Sequence, residues 1–187
     1  MRILYGTGNK AKIEAMRKII RIHGYDVELL TTKDVGFDKE IVEDGETFEE
    51  NSEIKANAIK EFCKENNIND VLVLTDDAGL CVDALNGEPG VYSARYMGLK
   101  SDEDRRKCIL EKLKNVPHNK RTASFECSIC FIKESGEKII VTGKWKGKIT
   151  EQEQGQNGFG YDSIFQPEGE EKTSAEMLPQ EKNSKSH

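Results

Sequence analysis

The sequence predicts a mixed α/β fold, with a central mixed twisted β-sheet and flanking helices. Three observations carry that prediction. The chain opens as strand, Gly-rich turn, helix, strand, which is a βαβ unit. A continuous apolar run, Val71-Leu72-Val73-Leu74, reads as a buried strand. Two long strand-like segments, 121–133 and 138–151, are joined by Glu134-Ser135-Gly136-Glu137 and read as an antiparallel hairpin.

The elements follow in order. Ile3-Leu4-Tyr5 is the first strand and Gly6-Thr7-Gly8-Asn9 its turn. A helix runs from about Lys10 to His23, with Ile13, Met16, Ile19 and Ile20 on one face and Gly24 as its stop. Val27–Leu30 is the second strand. A loop with Glu40, Glu43, Asp44 and Glu46 follows. Thr47 and Glu50 have capping-box spacing, so a second helix runs to about Asn66, with Asn51, Lys55, Ala58 and Phe62 on one face. The strand from Val71 ends at Asp76-Asp77, and Leu80–Leu85 reads as a separate short strand closed by Asn86-Gly87. A third helix begins near Ser101 and ends near Leu113. The final stretch from Pro179 reads as the start of a helix.

The 187 residues suit one domain, or at most two lobes. With 36% hydrophobic and 33% charged residues, the chain is a folded soluble type rather than a disordered one. No run is long enough to span a bilayer, and Met1 leads straight into a strand, so no signal peptide is read. A net charge of −6 argues against nonspecific binding to a nucleic acid polymer, though not against a single nucleotide. The five cysteines are odd in number and irregular in spacing, so a disulfide framework is not expected. Cys127 and Cys130 lie three apart on a strand and point to opposite faces, which suits neither a redox pair nor zinc. A reducing, cytoplasmic setting follows.

Three segments carry chemistry. Residues 5–12, from Tyr5 through Lys12, place glycines between a strand and a helix N-terminus, with Thr7, Asn9 and Lys12 as side-chain donors. That suits a phosphate, and it equally suits a plain βα turn capped by Asn9. A P-loop spacing is absent. The G-x-G-x-x-A match at Gly6, Gly8 and Ala11 lacks the acidic residue that a dinucleotide fold wants at the end of its second strand. Asp76 and Asp77 at a strand exit read either as hard-oxygen ligands for Mg²⁺ or Mn²⁺, with Glu43 adding a carboxylate, or as a turn cap and a solvated acid. The loop Gly158-Phe159-Gly160-Tyr161-Asp162 offers two aromatic faces, either to stack a base or to bury beneath the loop.

Together with "EDGETFEENSEIKA" at 43–56, "TDDAGLCVDALNGEPGVYSARY" at 75–96, "KTSAEM" at 172–177 and "EKNSKSH" at 181–187, these segments make the sequence similar to the inosine/xanthosine triphosphate pyrophosphatase (Ham1-like) family. The resemblance covers nearly the whole chain. It implies two lobes around a nucleotide cleft and Mg²⁺-dependent hydrolysis of ITP, dITP and XTP to the monophosphate and pyrophosphate. It implies that Thr7, Gly8, Asn9, Lys10, Ala11 and Lys12, with Lys55, hold the phosphates. Glu43 and Asp77 would bind the metal, Asp77 would also act on the attacking water, and Asp76 and Asn51 would support them. Ala78, Phe159, Gly160, Tyr161 and Asp162 would line the substrate, with Phe159 stacking on the purine. Lys182 and His187 would read its keto edge, and a homodimer is implied by the resemblance alone. Three departures stand out: Ala78 where the family usually has Ser, Ser163 where it often has Pro, and a chain that stops at His187 before the Arg and further helix the family carries. A nucleotide-binding protein with little turnover, or a pyrophosphatase of other base preference, is the alternative.

Overall fold

A computed structural model describes residues 1–185; the base-reading role expected of His187 falls outside the described residues. Six strands form one mixed sheet in the order β2-β1-β3-β4-β5-β6. They are β1 (Arg2–Tyr5), β2 (Glu28–Thr31), β3 (Leu72–Val82), β4 (Thr122–Ile132), β5 (Lys138–Ile149) and β6 (Phe165–Pro167). The helices are α1 (Lys10–Ile22), α2 (Phe48–Glu65), α3 (Asp102–Lys112) and α4 (Pro179–Asn183). None is long and apolar enough to cross a membrane among the described residues. The chain divides into two compact units, and β3, β4 and β5 each run from one into the other.

The first unit comprises residues 1–77 and 128–142. β1 pairs in parallel with both β2 and β3, placing Ile3 opposite Leu29 and Leu72. Its core is built from Leu4, Ala56, Ile59, Cys63, Val71, Val73, Cys130 and Ile132. The capping box on α2 is formed as expected: Thr47 Oγ1 accepts the Glu50 N–H and the Glu50 carboxylate accepts the Thr47 N–H. α1 has its expected limits, with Asn9 as N-cap and Gly24 at positive φ just past the end. Its apolar face differs from expectation. No α1 residue is fully buried, and Ile19 is 46% exposed.

The second unit comprises residues 78–127 and those from Gly143 onward. Leu80, Val82, Ile109, Leu113, Trp145, Ile149, Ile164, Phe165 and Met177 form its own core. Phe165 packs edge-on to Phe125 with ring centroids 4.7 Å apart, and it sits 5.5 Å from Trp145. β6 was not legible from sequence. It has three residues, ends on a proline, and exists because Ile149 and Phe165 pair antiparallel. Residues 83–85 are a 3-10 turn rather than the end of a strand, with Asn86 and Gly87 both at positive φ after it.

The largest correction concerns the two aspartates. The sequence reading ended one strand at Asp76-Asp77 and began another at Leu80; β3 instead runs unbroken through both acids. Successive side chains on a strand point to opposite faces, so adjacent carboxylates need not share a site. Each acid here meets its own cation on its own face, which removes the reason for the strand to stop.

Candidate active site

The turn after β1 is built from two glycines with different reasons. A Cβ on Gly6 would lie 2.2 Å from Ile59 Cδ1 and 2.7 Å from Thr75 Cγ2, so packing alone requires glycine there. A Cβ on Gly8 would meet nothing within 4 Å, and its φ is not positive. Gly8 therefore leaves open backbone at the N-terminus of α1, where N–H groups and the helix dipole favour an anion. Asn9 Oδ1 is occupied by the cap, accepting from Ala11 N at 2.9 Å and Lys12 N at 3.4 Å. Its Nδ2 is the donor it can offer outward. Thr7 Oγ1 accepts the Asn9 N–H at 3.2 Å and braces the turn, while Lys10 and Ala11 are exposed.

Asp76 is 6% exposed, and it anchors this segment. One carboxylate oxygen accepts the Tyr5 hydroxyl at 2.7 Å, and the other pairs with the Lys12 ammonium. It stands inside β3, so the turn-cap reading does not describe it. It positions Lys12, and its other partner, Tyr5, lies 71 residues away with no local signal to mark it.

Asp77 faces the other way, toward α2. Asn51 Nδ2 donates to Asp77 Oδ2 at 3.1 Å, and Lys55 Nζ lies 3.5 Å from Oδ1. The same ammonium is 2.7 Å from Glu43. Asn51 is fully buried, and its Oδ1 accepts the Gly45 N–H at 2.9 Å. One side chain thus ties the Glu43 loop to Asp77. Gly45 must be glycine for that approach, since a Cβ would lie 2.7 Å from Glu50 Cβ. Burial pushes the Asp77 carboxyl above the usual aspartate range and the Glu43 charge adds to this, against Lys55, the Asn51 hydrogen bond and Lys12.

The donor set can be tested for a divalent cation. Glu43 and Asp77 already converge on one positive group, the Lys55 ammonium. Among the described residues no cluster of three or more His, Cys, Asp or Glu exists that could hold a metal by itself. Two hard carboxylates without nitrogen or sulfur ligands fit a cation completed by waters and substrate phosphates, not a caged structural metal.

In the second unit the glycine-rich loop splits its two aromatics. Phe159 is 56% exposed, with Lys182 Nζ 5.3 Å from its ring centroid. Tyr161, expected beside Phe159 in the substrate lining, is buried, and its hydroxyl donates to Ser93 O at 2.8 Å. Residues two apart in this turn point to different sides because Gly158 and Gly160 both hold positive φ around Phe159. Asp162 is also buried, and it organises the loop rather than lining a surface. Its Oδ2 accepts the Phe159 N–H at 2.9 Å and Lys182 Nζ at 2.6 Å, and its Oδ1 accepts Ser174 Oγ at 2.8 Å. Ser174, in the quoted "KTSAEM", is a loop anchor that the sequence reading passed over. Ala78, next along β3 from Asp77, is half-buried.

A model of the Ham1 family matches residues 3–187. The dITP/XTP pyrophosphatase of Clostridium perfringens is 41% identical over the whole of this chain and 91% of its own length. That of Bacillus subtilis is 40% identical over 98% of this chain and 89% of its own. Among solved structures, the Ham1 protein of Staphylococcus aureus superposes with a TM-score of 0.86 at 37% identity, covering all of this chain and 92% of that one. The nucleoside-triphosphatase / dITP/XTP pyrophosphatase of Mycobacterium abscessus gives a TM-score of 0.80 at 38% identity over 98% and 93% of the two chains.

Proposed function

The chain belongs to the Ham1 family, and on that premise we propose that it is a Mg²⁺-dependent pyrophosphatase of noncanonical purine nucleoside triphosphates. ITP, dITP and XTP would be cleaved to the monophosphate and pyrophosphate. The observation that supports this most is the convergence of Glu43 and Asp77 on one cationic position, with the charge of Lys12 also acting on Asp77. Hydrolysis of a phosphoanhydride needs placed positive charge and an aligned water more than covalent chemistry.

In the first unit, the Thr7–Lys12 turn and Lys55 would bind the triphosphate. Lys12 is held in place by Asp76, which sets where its positive charge stands. Mg²⁺, when bound by Glu43 and Asp77, would neutralise phosphate charge. Asn51 fixes Oδ2 of Asp77, and Oδ1, which lies 3.5 Å from Lys55 Nζ, would be the oxygen that accepts a proton from water.

In the second unit, Phe159 would stack on the purine. Lys182 can only donate, so it favours the keto oxygen of hypoxanthine or xanthine over the amino group of adenine. The proposal extends to residues 1–187 acting as one pyrophosphatase domain, working as a homodimer in the cytoplasm, where its five cysteines stay reduced.

Pyrophosphate release from ITP, XTP, dITP, GTP, ATP and TTP, with and without Mg²⁺, tests the reading. Release confined to ITP, XTP and dITP and dependent on Mg²⁺ is expected. Equal rates on ATP and ITP would remove the base-reading role of Lys182. Tight ITP binding without pyrophosphate would make the protein a nucleotide binder instead.

A further inference from the structure

Gly160 sits beside the exposed Phe159 and is gripped by both of its backbone polar groups. Its N–H donates to Asp102 Oδ2 at 3.0 Å, and its carbonyl accepts from Arg106 Nη1 at 2.8 Å. Asp102 and Arg106 lie four apart in the first turns of α3, so they share one helix face. Both anchors are themselves fixed. Asp102 pairs with Arg105, which is 9% exposed and also donates to Leu99 O at 2.7 Å. Arg106 Nε donates at 2.7 Å to Glu153 Oε2, the same oxygen that accepts Ser163 Oγ at 2.9 Å. The chain Arg106–Glu153–Ser163 thereby returns to the far end of the loop, and Gln154 N closes it by donating to Ser163 O at 2.8 Å.

We propose that Asp102 and Arg106 of α3, braced by Glu153 and Ser163, are positioning residues that set the direction of Phe159 and so the tightness of base binding. The role rests on the function proposed above, in which Phe159 faces the purine. A residue flanked by two glycines at positive φ has little local restraint of its own. Fixing both the donor and the acceptor of one peptide neighbour removes that freedom before substrate arrives, and a preorganised loop binds more tightly than one ordered on binding. Arg106 suits this task better than lysine, because a planar guanidinium can meet the Gly160 carbonyl and Glu153 at once. Burial by itself would raise the Asp102 carboxyl. The hydrogen bonds from Arg105 and the Gly160 N–H, with the charges of Arg105 and Arg106, outweigh it and hold Asp102 ionised below the usual range.

The test uses the full chain with Arg106→Met, which keeps the aliphatic stem, alongside Arg106→Lys and Ser163→Ala. Hydrogen exchange of peptides covering 155–162 in the substrate-free protein is read first. Exchange about tenfold faster in Arg106→Met is expected, with peptides of β3 and β5 unchanged, and smaller increases in the other two variants. Steady-state pyrophosphate release is read second. The KM for ITP should rise about fivefold in Arg106→Met with kcat within about twofold, and Arg106→Lys should recover part of that loss. Unchanged loop exchange would overturn the proposal whatever the activity. So would a fall in kcat with KM unchanged. If the wild-type protein hydrolyses none of the nucleotides, the function above fails on its own, and the exchange result still decides whether α3 holds the loop.

Discussion

The two units hold their functional groups in opposite ways. In the first, Lys12, Lys55, Asn51 and Asp77 all stand inside regular elements, and each charge is matched by a neighbour on a facing helix or strand. In the second, Phe159 stands on an irregular loop, and its direction depends on bonds from Asp162 and, through Gly160, from α3. The contrast is a division of labour. On the function proposed above, the side chains of α1, α2 and β3 that would meet a phosphate stand on rigid backbone, where a small displacement would lose most of the rate, and Glu43, on a loop, is paired with Lys55 of α2. Recognition of a flat base tolerates a loop, provided the loop is pinned.

If that division is right, damage to the first unit should appear in kcat and damage to the second in KM or stability. The largest effect is expected from Asp77→Asn, which keeps the shape and removes the charge. Pyrophosphate release from dITP should fall by about 10³-fold in kcat, in the range for loss of a general base. Its thermal midpoint in metal-free buffer should stay level or rise, because burial already disfavours the ionised carboxylate. A kcat within tenfold of wild type would break the comparison at its strongest point.

Next comes Asp162→Ala. It removes one buried acceptor from Phe159 N–H, Ser174 and Lys182 together, leaving a lysine without its partner. Denaturant unfolding should show a loss of about 3 kcal/mol, typical of breaking a buried pair from one side. Urea melts at several protein concentrations check it, and a loss under about 1 kcal/mol would show the hub to be decorative.

A smaller effect is expected from Lys182→Met. The KM for ITP should rise about tenfold while kcat holds, and the preference for ITP over ATP should narrow. Equal loss of kcat for both nucleotides would move Lys182 into the chemistry and blur the two regions.

The smallest effect lies away from both. Hydrogen bonds from Lys112 and Tyr96 hold the Glu88 carboxyl below the usual glutamate range. A depressed carboxyl contributes stability above the ordinary glutamate pKa, and that stability is lost as pH falls through the folded value. Glu88 is half-exposed, so solvent screens the pair. Glu88→Gln should lower the thermal midpoint by no more than about 2 °C at pH 7, with the gap closing below the ordinary glutamate range and in high salt. Activity should not change, since the trio touches no group assigned to substrate.

How much of this was legible follows from how far apart the partners lie. Asn9 and Thr47 were readable as helix caps because a cap is decided within four residues. The hairpin of β4 and β5 was readable because period and turn are local. The continuity of β3 was not, since two adjacent acids look like a break until the cations on the two faces are known. The inward turn of Tyr161 was not readable either, because its partner Ser93 lies 68 residues away. Asp102 and Arg106 carry no local signal, and no periodicity marks a side chain that reaches a backbone 58 or 54 residues on.

From the sequence came the family, the caps of α1 and α2, the β4–β5 hairpin and the charged residues Lys12, Glu43, Lys55, Asp76 and Asp77 as a group to watch, because each of these is written in spacing and residue type. Only the tertiary structure decided that Asp76 restrains Lys12 while Asp77 meets Asn51 and Lys55. It alone showed that Phe159 faces out while Tyr161 faces in. The physical reason is the same in both cases. Neighbours in a chain are sent to opposite sides by the pleat of a strand or by a positive φ, and what waits on each side is supplied by residues far away in sequence.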